Sequence, residues 1–145
     1  MRRVGTDERH VGTVPLELFQ DDEFKYQTYL RVATQIILQG LDELNVTEDE
    51  EVCICSGFIL SQARETLREM GYNVKPAKIT GVTQDLAERE FIKHLNRLGV
   101  GSCSQIKEMR SFNRFLSWVL EDLEDRERFV KTGWKRWPEL KESRE

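Results

Sequence analysis

Residues 52–60 read V-C-I-C-S-G-F-I-L. Val52, Cys53, Ile54 and Cys55 form an unbroken apolar run, since cysteine packs like a small hydrophobe. A short run that is apolar on both faces predicts a buried parallel strand over 50–56. Ser56-Gly57 then supplies turn chemistry, and the apolar residues restart at helical spacing. Ile59, Ala63, Leu67 and Met70 fall on one face, which predicts a helix over 58–70 closed by Gly71. Val74 to Thr80 reads as a second strand, with Pro76 directing it to a sheet edge. Strand, helix and strand in this order require a right-handed crossover and a parallel pair.

The periodicity continues on both sides of this unit. Phe24, Tyr29, Ala33, Ile36, Ile37, Leu41 and Leu44 recur at three and four and predict a helix over 21–44. Asp21, Asp22 and Glu23 place negative charge at its start, where the helix dipole favours it. Leu86, Ala87, Phe91, Leu95 and Leu98 predict a helix over 83–98. Ile106, Met109, Phe112, Leu116, Leu120 and Leu123 predict another over 104–123. Residues 2–6 and 10–19 read as short extended pieces, an edge strand or irregular hairpin, because Pro15 does not suit a central strand.

The expected fold is therefore one α/β domain spanning 1–145. It has short strands in 1–20, a helix–strand–helix–strand–helix core over 21–98, and a C-terminal helix with a docked tail over 99–145. The sheet is expected to be mixed, around a parallel β-α-β-α core. An internal echo runs through that core. Ser56-Gly57 and Thr80-Gly81 each end a strand, and Ala63 and Ala87, then Leu67 and Phe91, follow at matching distances. Two β–α units that share a phase are enough to produce it.

Composition bounds the function classes. The chain has 145 residues, 39% of them apolar and 33% charged, which is a globular composition with a highly charged surface. The net charge of −4 and the pI near 5.4 disfavour a non-specific nucleic-acid partner. The start M-R-R-V-G-T-D-E-R-H has no apolar signal region, and no apolar run approaches a membrane span. Three cysteines without framework spacing fit a reduced, cytoplasmic protein.

Cys53 and Cys55 lie two apart on a strand and point to the same face. One such pair does not complete a four-ligand zinc site, and Cys103, His10 and His94 stand at no ligand spacing from it. The expectation is structural core, with no metal and no cofactor. Cys103, in G-V-G-S-C-S-Q, precedes a helix and is either a reactive thiol at a helix N-terminus or an ordinary half-buried cysteine.

The hydroxyl–glycine pairs carry more information. Ser56-Gly57 and Thr80-Gly81 stand at the carboxyl ends of parallel strands, where open α/β sheets bind ligands. Free N–H groups at the following helix attract anions there. Thr83 and Gln84 stand ready to add polar contacts. The competing reading is plain capping and turn chemistry. Neither the dinucleotide nor the P-loop glycine fingerprint is present. Lys107, Arg110 and Arg114 form a basic stripe at helical spacing, either an anion site or a solvated face. In K-T-G-W-K-R-W-P, Trp134 and Trp137 alternate with cations. They suit base stacking, or docking on the body or on a second copy.

The opening V-G-T-D-E and the order long helix, strand, helix, strand, helix resemble the ribonuclease H-like superfamily. That resemblance implies a first strand bearing an aspartate, an antiparallel set, and then helix–strand alternation. It implies Asp7 as the first-strand carboxylate and Asp85 or Glu88 as the late one, holding divalent metals in a nuclease. The chain departs from the pattern after strand 50–56, where Cys55-Ser56-Gly57 stands in place of an acidic residue. The expectation is a ligand- or nucleic-acid-associated protein on such a scaffold with little or no catalysis. Its site would form where Asp7, Ser56, Gly57, Thr80 and Gly81 converge. The alternatives are an interaction protein dimerising through its C-terminal helix and tryptophans, and a metal-dependent nuclease.

Overall fold

The computed structural model describes residues 1–142. Strand β1 (Glu51–Cys55) pairs in parallel with β2 (Asn73–Ala77), with Ile54 opposite Pro76 and Cys55 opposite Ala77. Between them a 3₁₀ turn (Phe58–Leu60) leads into α2 (Ser61–Glu69). Gly71, at φ +93°, takes the left-handed closing position after α2 that favours glycine. Helix α1 (Thr28–Glu43) packs on α2, and both cover one face of the sheet. Leu41, Ile54, Ala63 and Leu67 form the centre of this core, with Ile37, Val52, Leu60 and Val74 around them.

The sheet differs from expectation in extent and in environment. Among the described residues it has two strands and is wholly parallel, not mixed. In place of strands in 1–20, the described residues hold one isolated antiparallel bridge, Arg2 to Arg9, and a 3₁₀ turn at Leu16–Phe19. Strand β1 also alternates. Ile54 is buried and Val52 half-buried against the helices, while Glu51, Cys53 and Cys55 are exposed on the other face. The assignment of Cys53 and Cys55 to the core is therefore corrected. Their periodicity is that of a half-buried strand, and the face they share with Glu51 is exposed.

Two predicted helices are interrupted. Residues Asp21–Tyr26 form a 3₁₀ turn, and α1 begins only after Gln27, whose φ of 54° breaks the helical path. The segment 104–123 divides into α4 (Cys103–Glu108) and α5 (Phe112–Glu121). Ser111 causes the break: its hydroxyl caps α5 by accepting from the Arg114 N–H at 3.3 Å. Helix α3 (Gly81–Arg97) runs before them. A second core gathers Ile92, Val100 and Ile106 with Leu95, Met109, Phe115 and Trp118. The internal echo ends here, because Ala63 and Leu67 are fully buried while Ala87 and Phe91 are exposed.

After α6 (Leu123–Arg126), the chain returns to its beginning. The Gln20 side-chain amide donates to the carbonyls of Arg128 and Val130 at 3.0 and 2.9 Å. The Gly133 N–H donates to the Phe19 carbonyl at 3.1 Å. Trp137, in α7 (Trp137–Glu142), is 3% exposed and donates its indole N–H to Glu127 at 2.7 Å. It is therefore part of the molecule's own interior rather than an interface residue. Trp134 is half-buried, edge-to-face with the exposed Phe112. Among the described residues no helix is long and apolar enough to cross a membrane.

Candidate functional site at the carboxyl end of the sheet

Parallel pairing brings the ends of β1 and β2 side by side, so Ser56-Gly57 and the segment leading to Thr80-Gly81 leave the sheet at the same end. Arg64 of α2 folds back over the first turn. Its NH1 donates to the carbonyls of Cys55 and Gly57 at 2.5 and 3.0 Å. The Ser56-Gly57 turn thus presents carbonyl oxygens to a guanidinium rather than N–H groups to a ligand.

The second turn is arranged differently. Thr80 is extended at the N-cap position, yet its side chain makes no capping hydrogen bond. Gly81 follows at φ +63°, with nothing within 4 Å of the position a Cβ would take. The first N–H groups of the seventeen-residue α3 are therefore without a side-chain cap. Arg2 reaches the same turn, its Nε donating to Thr83 Oγ1 at 3.0 Å. A helix amino end and a guanidinium side by side form a positive spot in an acidic chain. Gln84 turns away from it and donates to Glu88 at 3.1 Å.

The carboxylates named from the sequence do not assemble. The N-terminal hairpin is tied to the amino end of β1, where Arg3 pairs with Glu50 at 2.6 Å and with Glu8 at 3.0 Å. Asp7 is exposed at its tip, and no hydrogen bond or ion pair joins it to Ser56, Gly57, Thr80 or Gly81. Asp85 is exposed on α3. Glu88 receives Arg110 through two hydrogen bonds of 2.8 Å each. Among the described residues no group of three or more His, Cys, Asp or Glu is placed to hold a metal ion.

The basic stripe is largely engaged as well. Arg110 is held by Glu88 and lies 4.5 Å over the Phe91 ring. Arg114 closes α4 by donating to the Glu108 carbonyl. Lys107 is exposed. Cys103 is the first residue of α4 and exposed, behind a capping box made by Ser102 and Gln105.

Sequence reasoning missed three anchors. Arg64, Arg2 and the His10–Glu43 pair (Nδ1 to Oε2, 2.6 Å) fix the hairpin and the strand ends. Contacts that span 81 residues, as Arg2 to Thr83 does, leave no local periodic signal. The chain matches no protein-family model, no curated protein and no solved structure.

Proposed function

We propose that the chain is a binding protein with little or no catalysis of its own, taking an anionic ligand at the carboxyl end of β2. The observation that carries this reading is the uncapped amino end of α3 with Arg2 beside it. Gly81, Val82 and Thr83 would donate backbone N–H groups, and Arg2 would add charge. Phosphate oxygens fit such donors, whether free or in a nucleic-acid backbone. The ribonuclease H-like scaffold is supported by element order alone. The nuclease alternative is weakened by the commitment of Glu88 to Arg110.

Titration of the labelled protein with inorganic phosphate and with a short single-stranded oligonucleotide, followed by NMR, tests the reading. The Gly81–Thr83 amides should shift, and Arg2→Ala should weaken the response several-fold. Shifts confined to other segments, or an unchanged response in Arg2→Ala, would remove the site. A second reading, an interaction protein, draws on Phe112, which is 57% exposed against Trp134. Light scattering distinguishes it: a mass of one chain at high concentration contradicts self-association through that pair.

A further inference from the structure

The exposed face of β1 carries two thiols in fixed relation. Cys53 and Cys55 are both free and both exposed, on the face opposite Ile54. On a strand their Cβ atoms are separated by two residues of rise, roughly 6.5–7 Å. A disulfide requires Cβ atoms about 3.5–4.5 Å apart, so the strand itself prevents the pair from oxidising to each other. One metal ion between two thiolates asks for less closure. Metal–thiolate bonds of about 2.3 Å set two sulfurs on opposite sides of an ion about 4.6 Å apart. Cys53 Sγ turns toward Glu51 and Cys55 Sγ toward Gly57, so both side chains change rotamer to meet that distance while the backbone stays in place.

We infer that Cys53 and Cys55 form a two-thiolate chelate for a soft monovalent metal ion of the Cu(I) class. Thiolates select soft cations, and a linear two-coordinate site needs no third ligand. Hard divalent ions are disfavoured by two sulfur ligands and no oxygen cage. The metal ion itself must drive the loss of the thiol protons. Each thiol gives up its proton on binding, so one M⁺ and two S–H groups become an anionic M(S)₂ unit and two protons. Lys75 stands opposite Cys53 in the parallel register, and its ammonium, paired with Glu51 in the metal-free chain, is the cation nearest to the new anion. Glu51 accepts a hydrogen bond from the Cys53 thiol at 3.4 Å, and that bond breaks when the proton leaves. Cys103 lies on α4, away from the strand, and takes no part.

The experiment is an anaerobic competition titration of the full chain with Cu(I), supplied as its acetonitrile complex, against a chromophoric Cu(I) chelator. Thiolate-to-metal absorption and proton release are followed together. The expected result is one tightly held ion per chain, two protons released, and a mass of one chain. Cys103→Ser should behave as the unchanged protein. Cys53→Ser and Cys55→Ser, each confirmed folded by circular dichroism, should bind about 100-fold more weakly or worse, because the second thiolate acts at a high effective concentration. Retained affinity in either single variant overturns the chelate. So does loss of affinity in Cys103→Ser, or a stoichiometry of one ion per two chains.

Discussion

Gly133 shows how closely the chain is fitted to itself. A Cβ there would fall far inside contact distance of Phe24 Cβ and 2.7 Å from the Asp21 carbonyl oxygen. That oxygen belongs to the backbone and has no rotamer with which to yield. Gly12 would meet Ile36 in the same way, and Gly40 would meet the His10 ring at 2.7 Å. Overpacking of this kind costs about 1–3 kcal/mol. Among these three the expected destabilisation is largest for Gly133→Ala and smallest for Gly40→Ala, since Ala also improves the interior of α1. Gly57→Ala should be nearly neutral, because its φ is −57° and its Cβ would lie 3.7 Å from Cys55 Sγ. Urea midpoints of the four variants check the order. Equal midpoints for Gly133→Ala and Gly57→Ala would contradict the packing.

The glutamates give the molecule its acid limit. Glu43 is held below the usual carboxylate range by its hydrogen bond from His10, Glu50 by the Thr47 N–H, and Glu51 and Glu90 by Lys75 and Lys93. Glu127 is lowered by Lys141 and by the indole of Trp137. Each folded pKa lies below its unfolded value, so the stabilisation is complete above the unfolded value of about 4.3 and is lost as pH falls through the folded values. The urea midpoint should therefore hold from pH 7 to about pH 5 and drop below about pH 4. Glu127→Gln should flatten part of that drop. A midpoint independent of pH down to pH 3 would show that these contacts contribute nothing.

The starts of α4 and α3 test what a cap does. Ser102 accepts from the Gln105 N–H, and Gln105 answers to the Ser102 N–H at 2.8 Å. Ser102→Ala should lose about 1 kcal/mol. Thr80, at the corresponding position of α3, makes no such bond, so Thr80→Ala should change stability by a few tenths at most. Thermal melts of both variants decide the matter: an equal loss would mean that Thr80 does cap α3 in solution and that its N–H groups are occupied. The order strand, helix, strand and the parallel pairing were readable from residues 50–80, because Ile54, Ala63 and Leu67 obey periods set by local geometry. The open face was readable too, since the charge of Glu51 at i−2 marks the face of Cys53 as exposed. The break at Gln27 was not, because left-handed glutamine has no sequence signature. The anion spot was half-readable: Thr80-Gly81 showed in the sequence, but Arg2 arrives there only through tertiary folding.

The C-terminal tail closes the whole molecule, and this makes its removal informative. Residues 128–137 bond to Gln20, Asp21 and Phe19, and Lys131 lies 4.2 Å over the Phe19 ring. Phe19 belongs to the cluster with Tyr29 and Leu30 that anchors the start of α1. The tail thus covers the end of the helix on which the sheet rests, and it also meets α5, Phe129 against Trp118 and Trp134 against Phe112. Trp137→Ala should cost about 3–5 kcal/mol, the range for removing a buried aromatic side chain. Trp134→Ala should cost clearly less, because Trp134 is only half-buried. A chain ending at Asp125 should lose both the indole and the Gln20 clasp and expose Phe19 and Tyr29. Its melting temperature should fall by more than that of Trp137→Ala, with new binding of a hydrophobic dye. If the shortened chain instead melts like the full one, the tail is an appendage. The tryptophans would then be available for the partner surface that the sequence first suggested.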